Sequence, residues 1–422
     1  MTQDTETRDY FTDQSVLADP HDYFRKVLAC GPVYRIPGRD YLLVTGFEEC
    51  ADVVKNNQDF SSIFSFSPYG AGLPLPFKPE GDDISEQIEA HRNKDDLLVT
   101  YDGPFHAASR AILSKLFTPS RLRDNEAFMT EYASQQAEKV IAKGGCEFIG
   151  DFALPFATSV ISDLLGVPLA DRQLFMDAIA ASPTIGAVKA DDVRTQVPHF
   201  EFMSDFFTGY IESRRANPQP DVLHELATAK YPDGSTPELN EIVKLAMFLF
   251  VGGRGSSSKF LASCLLFVAE HPDLQKKLRD DRQLIPTFIE EVLRLEGTTK
   301  ATFRLARKNT RIGDTEIPAG TKVAVLFGAA NRDPRRWTNP DAFDMERPRL
   351  REHLAFGRGV HTCAGAPLAR IEARVVINQF LEQTSDIQLD AAKHGEPGNR
   401  ELQFEPSYIV RGLSNLHLVL KP

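Results

Sequence analysis

Apolar and polar positions follow a mostly helical period from about residue 105 to 285, and β-prone runs gather elsewhere. PVYRI (32–36) and YLLVTG (41–46) read as strands near the N-terminus. RIGDTEIPAGTKVAVLF, within 300–330, reads as two strand-prone runs separated by the turn Pro318-Ala319-Gly320. Residues 64–82, rich in Pro and Gly, predict a long ordered loop. The best-defined helix opens at Thr236-Pro237-Glu238, where Thr236 suits the N-cap, Pro237 the first turn and Glu238 the positive end of the dipole. It runs to about Glu270, ahead of His271-Pro272, and its middle reads VGGRGSSS. Each glycine inside a helix costs about 1 kcal/mol, so Gly252, Gly253 and Gly255 ask for a reason, and close approach of a ligand is one. The pattern predicts a mainly α chain with a minor β part.

Composition narrows the function. The 422 residues, 42% of them hydrophobic, suffice for a sizeable core, and a net charge of −11 argues against a nucleic-acid partner. The start, MTQDTETRDYF, lacks an apolar leader, and the run LAMFLFV (245–251) is too short to span a bilayer. The five cysteines are scattered, without zinc-site spacing or a disulfide framework, which points to a reducing cytoplasmic setting.

One of those cysteines sits in unusual company. FGRGVHTCAGAPLARIEAR (356–374) puts Cys363 in a glycine-lined loop ahead of a helix, with arginines on both sides. A cysteine that only fills space needs none of this; a thiolate facing a large flat ligand does. Glu291 and Arg294, three apart in EEVLR, share a helix face, and Arg347 follows in FDMERP. His106 and Arg110, in DGPFHAASR, stand at i and i+4, and Arg304 and His353 add basic groups.

Together these residues resemble the cytochromes P450 of the soluble bacterial kind. FGRGVHTCAG matches FxxGxHxCxG, EEVLR matches ExxR, DGPFH…R matches the C-helix pattern and VGG matches the oxygen-binding helix, in order along nearly the whole chain. The resemblance implies one domain over residues 1–422 with the family's triangular, helix-rich prism and long central I helix. Its β-rich portion would lie at about 30–60 and 300–330, its helical portion at about 105–295 and 363–385. The resemblance also implies haem b with Cys363 as axial ligand of the iron. Phe356, Gly357 and Gly365 of the cysteine loop would bind the cofactor as well, and His106, Arg110, Arg304, His353 and His361 would hold the propionates. Glu291, Arg294 and Arg347 would be the structural triad.

The oxygen-binding helix departs from the family. Gly252-Gly253-Arg254-Gly255-Ser256 carries glycine at 255 in place of the usual acid and Ser256 in place of threonine. The hydroxyl survives without its carboxylate, so either Ser256 with Ser257 and water replaces the usual proton relay, or the enzyme uses peroxide directly or leaks reduced oxygen. Arg254, two residues from both Gly252 and Ser256, is expected to point away from the cavity they share. Phe64, Phe77, Phe248, Thr298, Thr299, Lys300 and Thr302 are candidate pocket walls, with Lys300 a reader of an anionic or phenolic group, and the segment from Pro183 to Pro198 is a candidate lid.

The expected activity is insertion of one oxygen atom of O2 into a small apolar or mildly anionic substrate. Electrons would come from a ferredoxin and its reductase, docking on Lys115, Arg121, Arg123, Arg351 and Arg358, and the protein would be a monomer without membrane attachment. The alternatives are a peroxide-driven peroxygenase or a haem-thiolate isomerase and, less in keeping with the pattern, a haem sensor without turnover.

Overall fold

The computed structural model describes residues 8–65, 74–92, 96–180 and 200–422. The candidate lid, Pro183 to Pro198, lies outside the described residues. A central helix of 32 residues, Leu239–Glu270, forms the axis. Against it pack helices Leu154–Leu165, Phe200–Ala216, Ile285–Glu296 and Ala366–Gln383. The large apolar core gathers around this axis, with Phe148, Phe152, Phe156 and Phe380 interlocked on one side.

Ten strands, β1 Val33–Arg35, β2 Tyr41–Val44, β3 Phe60–Ser61, β4 Gly145–Glu147, β5 Thr302–Ala306, β6 Thr310–Ile312, β7 Thr315–Ile317, β8 Lys322–Val325, β9 Asp386–Leu389 and β10 His417–Lys421, form three sheets among the described residues. The largest has the order β1-β2-β8-β5-β3. Antiparallel pairing of β5 and β8 sets Arg304 opposite Val323. The turn Pro318-Ala319-Gly320 separates β7, which pairs with β6 as a hairpin, from β8, which joins the large sheet. The sheet of β4, β10 and β9 lies outside the two β-rich ranges expected from the sequence.

The central helix begins later than the Thr236 cap predicts. The Thr236 hydroxyl accepts from Lys230 Nζ instead. Glu238 is the N-cap residue, and its backbone N–H donates to the Glu241 carboxylate at 2.9 Å. No helix among the described residues is long and apolar enough to cross a membrane.

Candidate functional site

The cysteine loop is shaped by backbone conformation before any chemistry enters. Gly357 and Gly359 adopt φ of +65° and +74°, a region that L side chains rarely enter. A Cβ on Gly359 would sit 2.8 Å from the Val54 carbonyl oxygen, so the loop could not approach helix Phe47–Lys55 with any other residue there. Cys363 N–H donates to the Phe356 carbonyl at 2.9 Å and closes the loop. Helix Ala366–Gln383 then starts with Gly365 as N-cap. Burial raises the Cys363 thiol pKa, and the N–H groups of Gly365 and Ala366, with the charges of Arg110 and Arg370, pull it down.

Cys363 opens into a cavity whose empty space, including the part open to solvent, is about 1460 Å³. Opposite the cysteine loop the central helix contributes Phe248, Gly252, Gly253, Ser256 and Ser257. Arg254 and Gly255 do not line the cavity, in keeping with the helical geometry, and burial draws the Arg254 guanidinium down to about 10. The Ser256 hydroxyl donates to the Gly252 carbonyl at 2.7 Å. Thr298, Thr299 and Thr302 form part of the wall, and Thr298 Oγ1 donates to the Ser256 carbonyl at 3.1 Å.

One edge of the cavity is basic. His106 and Arg110 enter from helix Gly103–Ser114, Arg304 from β5 and His361 from the cysteine loop. The His106 and His361 rings lie 4.1 Å apart, and Ser62 Oγ is 3.0 Å from His361 Nε2. Arg304 Nη1 donates to Ser65 Oγ, Thr302 Oγ1 and the Phe303 carbonyl, and Arg110 Nη2 to the Thr362 carbonyl. Neither arginine forms an ion pair among the described residues. Burial lowers Arg304 to about 10 and, with Arg304, His106 and Arg110 nearby, His361 to about 2. A buried arginine, Arg304, and a half-buried one, Arg110, without an ion-pair partner among the described residues leave a positive edge unbalanced, which suits a ligand bearing carboxylates. The residues present therefore fit a haem group, which Cys363 would ligate and whose carboxylates the basic edge would hold.

Several expected site residues go elsewhere. His353 does not line the cavity; its Nε2 lies 3.1 Å from Glu290 Oε2, and Arg370 binds the same carboxylate. Burial opposes charge on Glu290, yet these two partners bring its pKa down to about 2, so His353 has a buried structural partner in place of a propionate. Lys300 likewise turns from the cavity: Nζ donates to the Leu17 carbonyl at 2.6 Å, and burial, then Arg411, lowers it to about 7. It neither reads a substrate from the wall nor extends to solvent, because the neighbouring N-terminal segment covers it. Phe64 belongs to a satellite cluster with Ile63, Ile84, Ile88 and Leu305; Phe77 packs against it, its ring 4.4 Å from that of His91 and tilted to it.

Glu291, Arg294 and Arg347 come together away from the cavity. Arg294 makes a two-pronged contact with Glu291 at 2.8 and 2.7 Å, and Arg347 Nε approaches it at 3.4 Å. The free arms of the arginines donate to carbonyls of Asn331, Pro340 and Ala342, tying helix Ile285–Glu296 to the loop before the cysteine.

Sequence reading missed Leu98, Val99, Ile161, Phe260 and Leu293 in the walls. It also missed Glu372, a buried carboxyl that accepts from Ser257. The signal for Glu372 was present: it interrupts the buried face Leu368, Val375, Val376 of its helix.

Fold, cysteine loop and cation-rimmed cavity define a haem-thiolate protein. The family model for cytochrome P450 matches residues 78–385, and the chain belongs to the cytochrome P450 family of monooxygenases, which bind haem b through a cysteine thiolate. It is similar to the substrate-free structure of Mycobacterium marinum CYP150A6, at 45% identity, 99% coverage of both chains and a TM-score of 0.92. It is 30% identical to cytochrome P450 144 of Mycobacterium tuberculosis, covering 100% of this chain and 93% of that protein. The monooxygenase PikC of Streptomyces venezuelae is 31% identical over 96% of this chain and 91% of its own length.

Proposed function

We propose that Cys363 holds the haem iron and that the enzyme inserts one atom of dioxygen into an apolar organic molecule, using electrons from a ferredoxin-type donor. The observation that carries this reading is the shared cavity: Cys363, the basic rim and the glycine-bearing stretch of the central helix all face it. When bound, a thiolate-ligated haem activates dioxygen, because the sulfur pushes electron density that favours O–O cleavage.

The chain's own residues do the rest. N–H groups of Gly365 and Ala366 temper the charge on the Cys363 sulfur. Arg110, Arg304, His106 and His361 bind and orient the propionates, with Ser62 fixing the His361 ring. Gly252 leaves open space where a side chain would stand, and Phe248, Leu293 and Ile161 exclude water around an apolar substrate. Thr298 holds this wall against the central helix.

Carbon monoxide added to the reduced, haem-loaded protein is expected to produce the strongly red-shifted Soret band of thiolate ligation, and Cys363→His to lose it. A wild-type spectrum without that band refutes the reading. A screen for the low-spin to high-spin shift with a steroid, a fatty acid and a small terpenoid then identifies the substrate class. Glycine at 255 favours a second reading, a peroxide-driven peroxygenase, which would form product with hydrogen peroxide and gain nothing from ferredoxin and NADH.

A further inference from the structure

Glu290 stands one position before the Glu291–Arg294 pair, so it leaves helix Ile285–Glu296 in another direction and joins neither that pair nor the cavity wall. Its side chain is 4% exposed and faces the cysteine loop's own arginine. Arg370 Nε donates to Glu290 Oε1 at 2.6 Å and Nη2 to Oε2 at 3.0 Å, a two-pronged contact. Held there, the guanidinium lies 4.7 Å from the centre of the Phe356 ring, and Nη1 donates to the Ala366 carbonyl at 3.3 Å. Phe356 and Ala366 flank the cysteine. The Phe356 carbonyl accepts from Cys363 N–H at 2.9 Å, and Ala366 N–H donates to the Cys363 carbonyl at 3.5 Å. One guanidinium therefore touches the loop on both sides of its sulfur-bearing residue, and with Arg110 it acts electrostatically on that sulfur.

The charge of the cluster follows from its hydrogen bonds. His353 Nδ1 accepts from Ala355 N–H at 3.2 Å, which leaves the ring proton on Nε2, 3.1 Å from Glu290 Oε2. A histidine that accepts at one nitrogen is neutral, and burial keeps it so. The cluster thus holds one anion, Glu290, and one cation, Arg370, and no other carboxylate pairs with Arg370 among the described residues. We infer that Glu290 is a positioning residue for the thiolate: it fixes the Arg370 guanidinium over Phe356, offsets its charge, and so sets how readily a haem held by Cys363 accepts an electron. The inference rests on the haem-thiolate reading above. Reduction adds one negative charge to the iron and sulfur, and a cation nearby favours it. A guanidinium with a carboxylate against it favours reduction less than a bare one, because the two fields largely cancel at the sulfur.

Reductive titration of the haem-loaded, substrate-free protein against a reference dye reads this balance. At fixed dye potential Glu290→Gln is expected to raise the ferrous-to-ferric ratio by about threefold or more, and Arg370→Gln to lower it by a similar factor. The double variant should return near the wild type, since it removes both charges together. Arg370→Lys, which keeps the charge without the two-pronged contact, should fall between wild type and Arg370→Gln. A purely structural clamp predicts another pattern: both single variants loosen the loop and move the ratio in the same direction. That result overturns the inference, as does a ratio unchanged in both. The carbon monoxide band is recorded for each variant, so that only proteins keeping thiolate ligation are compared. Should Glu290→Gln fail to fold, Arg370→Gln decides alone, its side chain being 33% exposed, and a ratio at or above that of the wild type overturns the inference. Failure of the haem-thiolate reading is distinct, because it appears as absence of the carbon monoxide band in the wild type.

Discussion

Lys300 illustrates how a single side chain is governed by what covers it. Its ammonium is buried against the Leu17 carbonyl, and Arg411, bound to the Ala18 carbonyl and to Glu296, adds a repelling charge. The folded protein therefore releases a proton near pH 7 that the unfolded chain keeps to about 10.5. Between those values the unfolded state binds more protons, so stability rises with pH, by up to about 1.4 kcal/mol per unit. Lys300→Met is expected to remove about 2 kcal/mol of that rise between pH 7 and pH 9. Urea unfolding of both proteins at the two pH values measures it, and parallel curves would disprove it. His353 follows the same logic: a buried histidine takes the nearest carboxylate, here Glu290, so its closeness in sequence to the cysteine motif did not decide its partner.

Among elements, helix Ile285–Glu296 and the loop after it are joined by one buried charge cluster. Glu291 and Arg294 have 0% side-chain exposure, so water cannot compensate either one. Glu291→Gln leaves two guanidinium groups facing a neutral amide and is expected to cost about 3–5 kcal/mol. The urea midpoint should fall accordingly, and haem should dissociate faster from the variant. A midpoint within error of wild type would mean that the carbonyl bonds of Arg294 and Arg347 suffice alone. The relation of Glu291 to Arg294 was legible in the sequence because i and i+3 share a helix face whatever surrounds them. The start of the central helix was less so, since Lys230 competed for Thr236 and Glu241 offered a better cap at Glu238.

Across the protein as a single body, net charge and local charge differ. The chain carries −11 overall, while Lys115, Arg123 and Arg351 are exposed. Arg121 is paired with Glu225, and Arg358 lies partly buried with its guanidinium over Phe47, so both are weaker candidates for docking an acidic partner. Replacing Lys115, Arg123 and Arg351 by glutamate is expected to slow reduction by a ferredoxin about tenfold at low salt and to flatten its salt dependence. Stopped-flow reduction across ionic strength reads both effects, and an unaltered rate would place the electron donor on another surface.

The sequence alone determined the family, the cysteine loop, the basic residues of helix Gly103–Ser114 and the Glu-x-x-Arg pair, because these depend on spacing within one helix or one turn. Tertiary structure decided which side chains face the cavity. Lys300 meets Leu17 across 283 positions and Ser257 meets Glu372 across 115, separations over which no local pattern acts. Short-range periodicity assigns each residue to a face; long-range packing determines what that face meets, and hence which charges water can still reach.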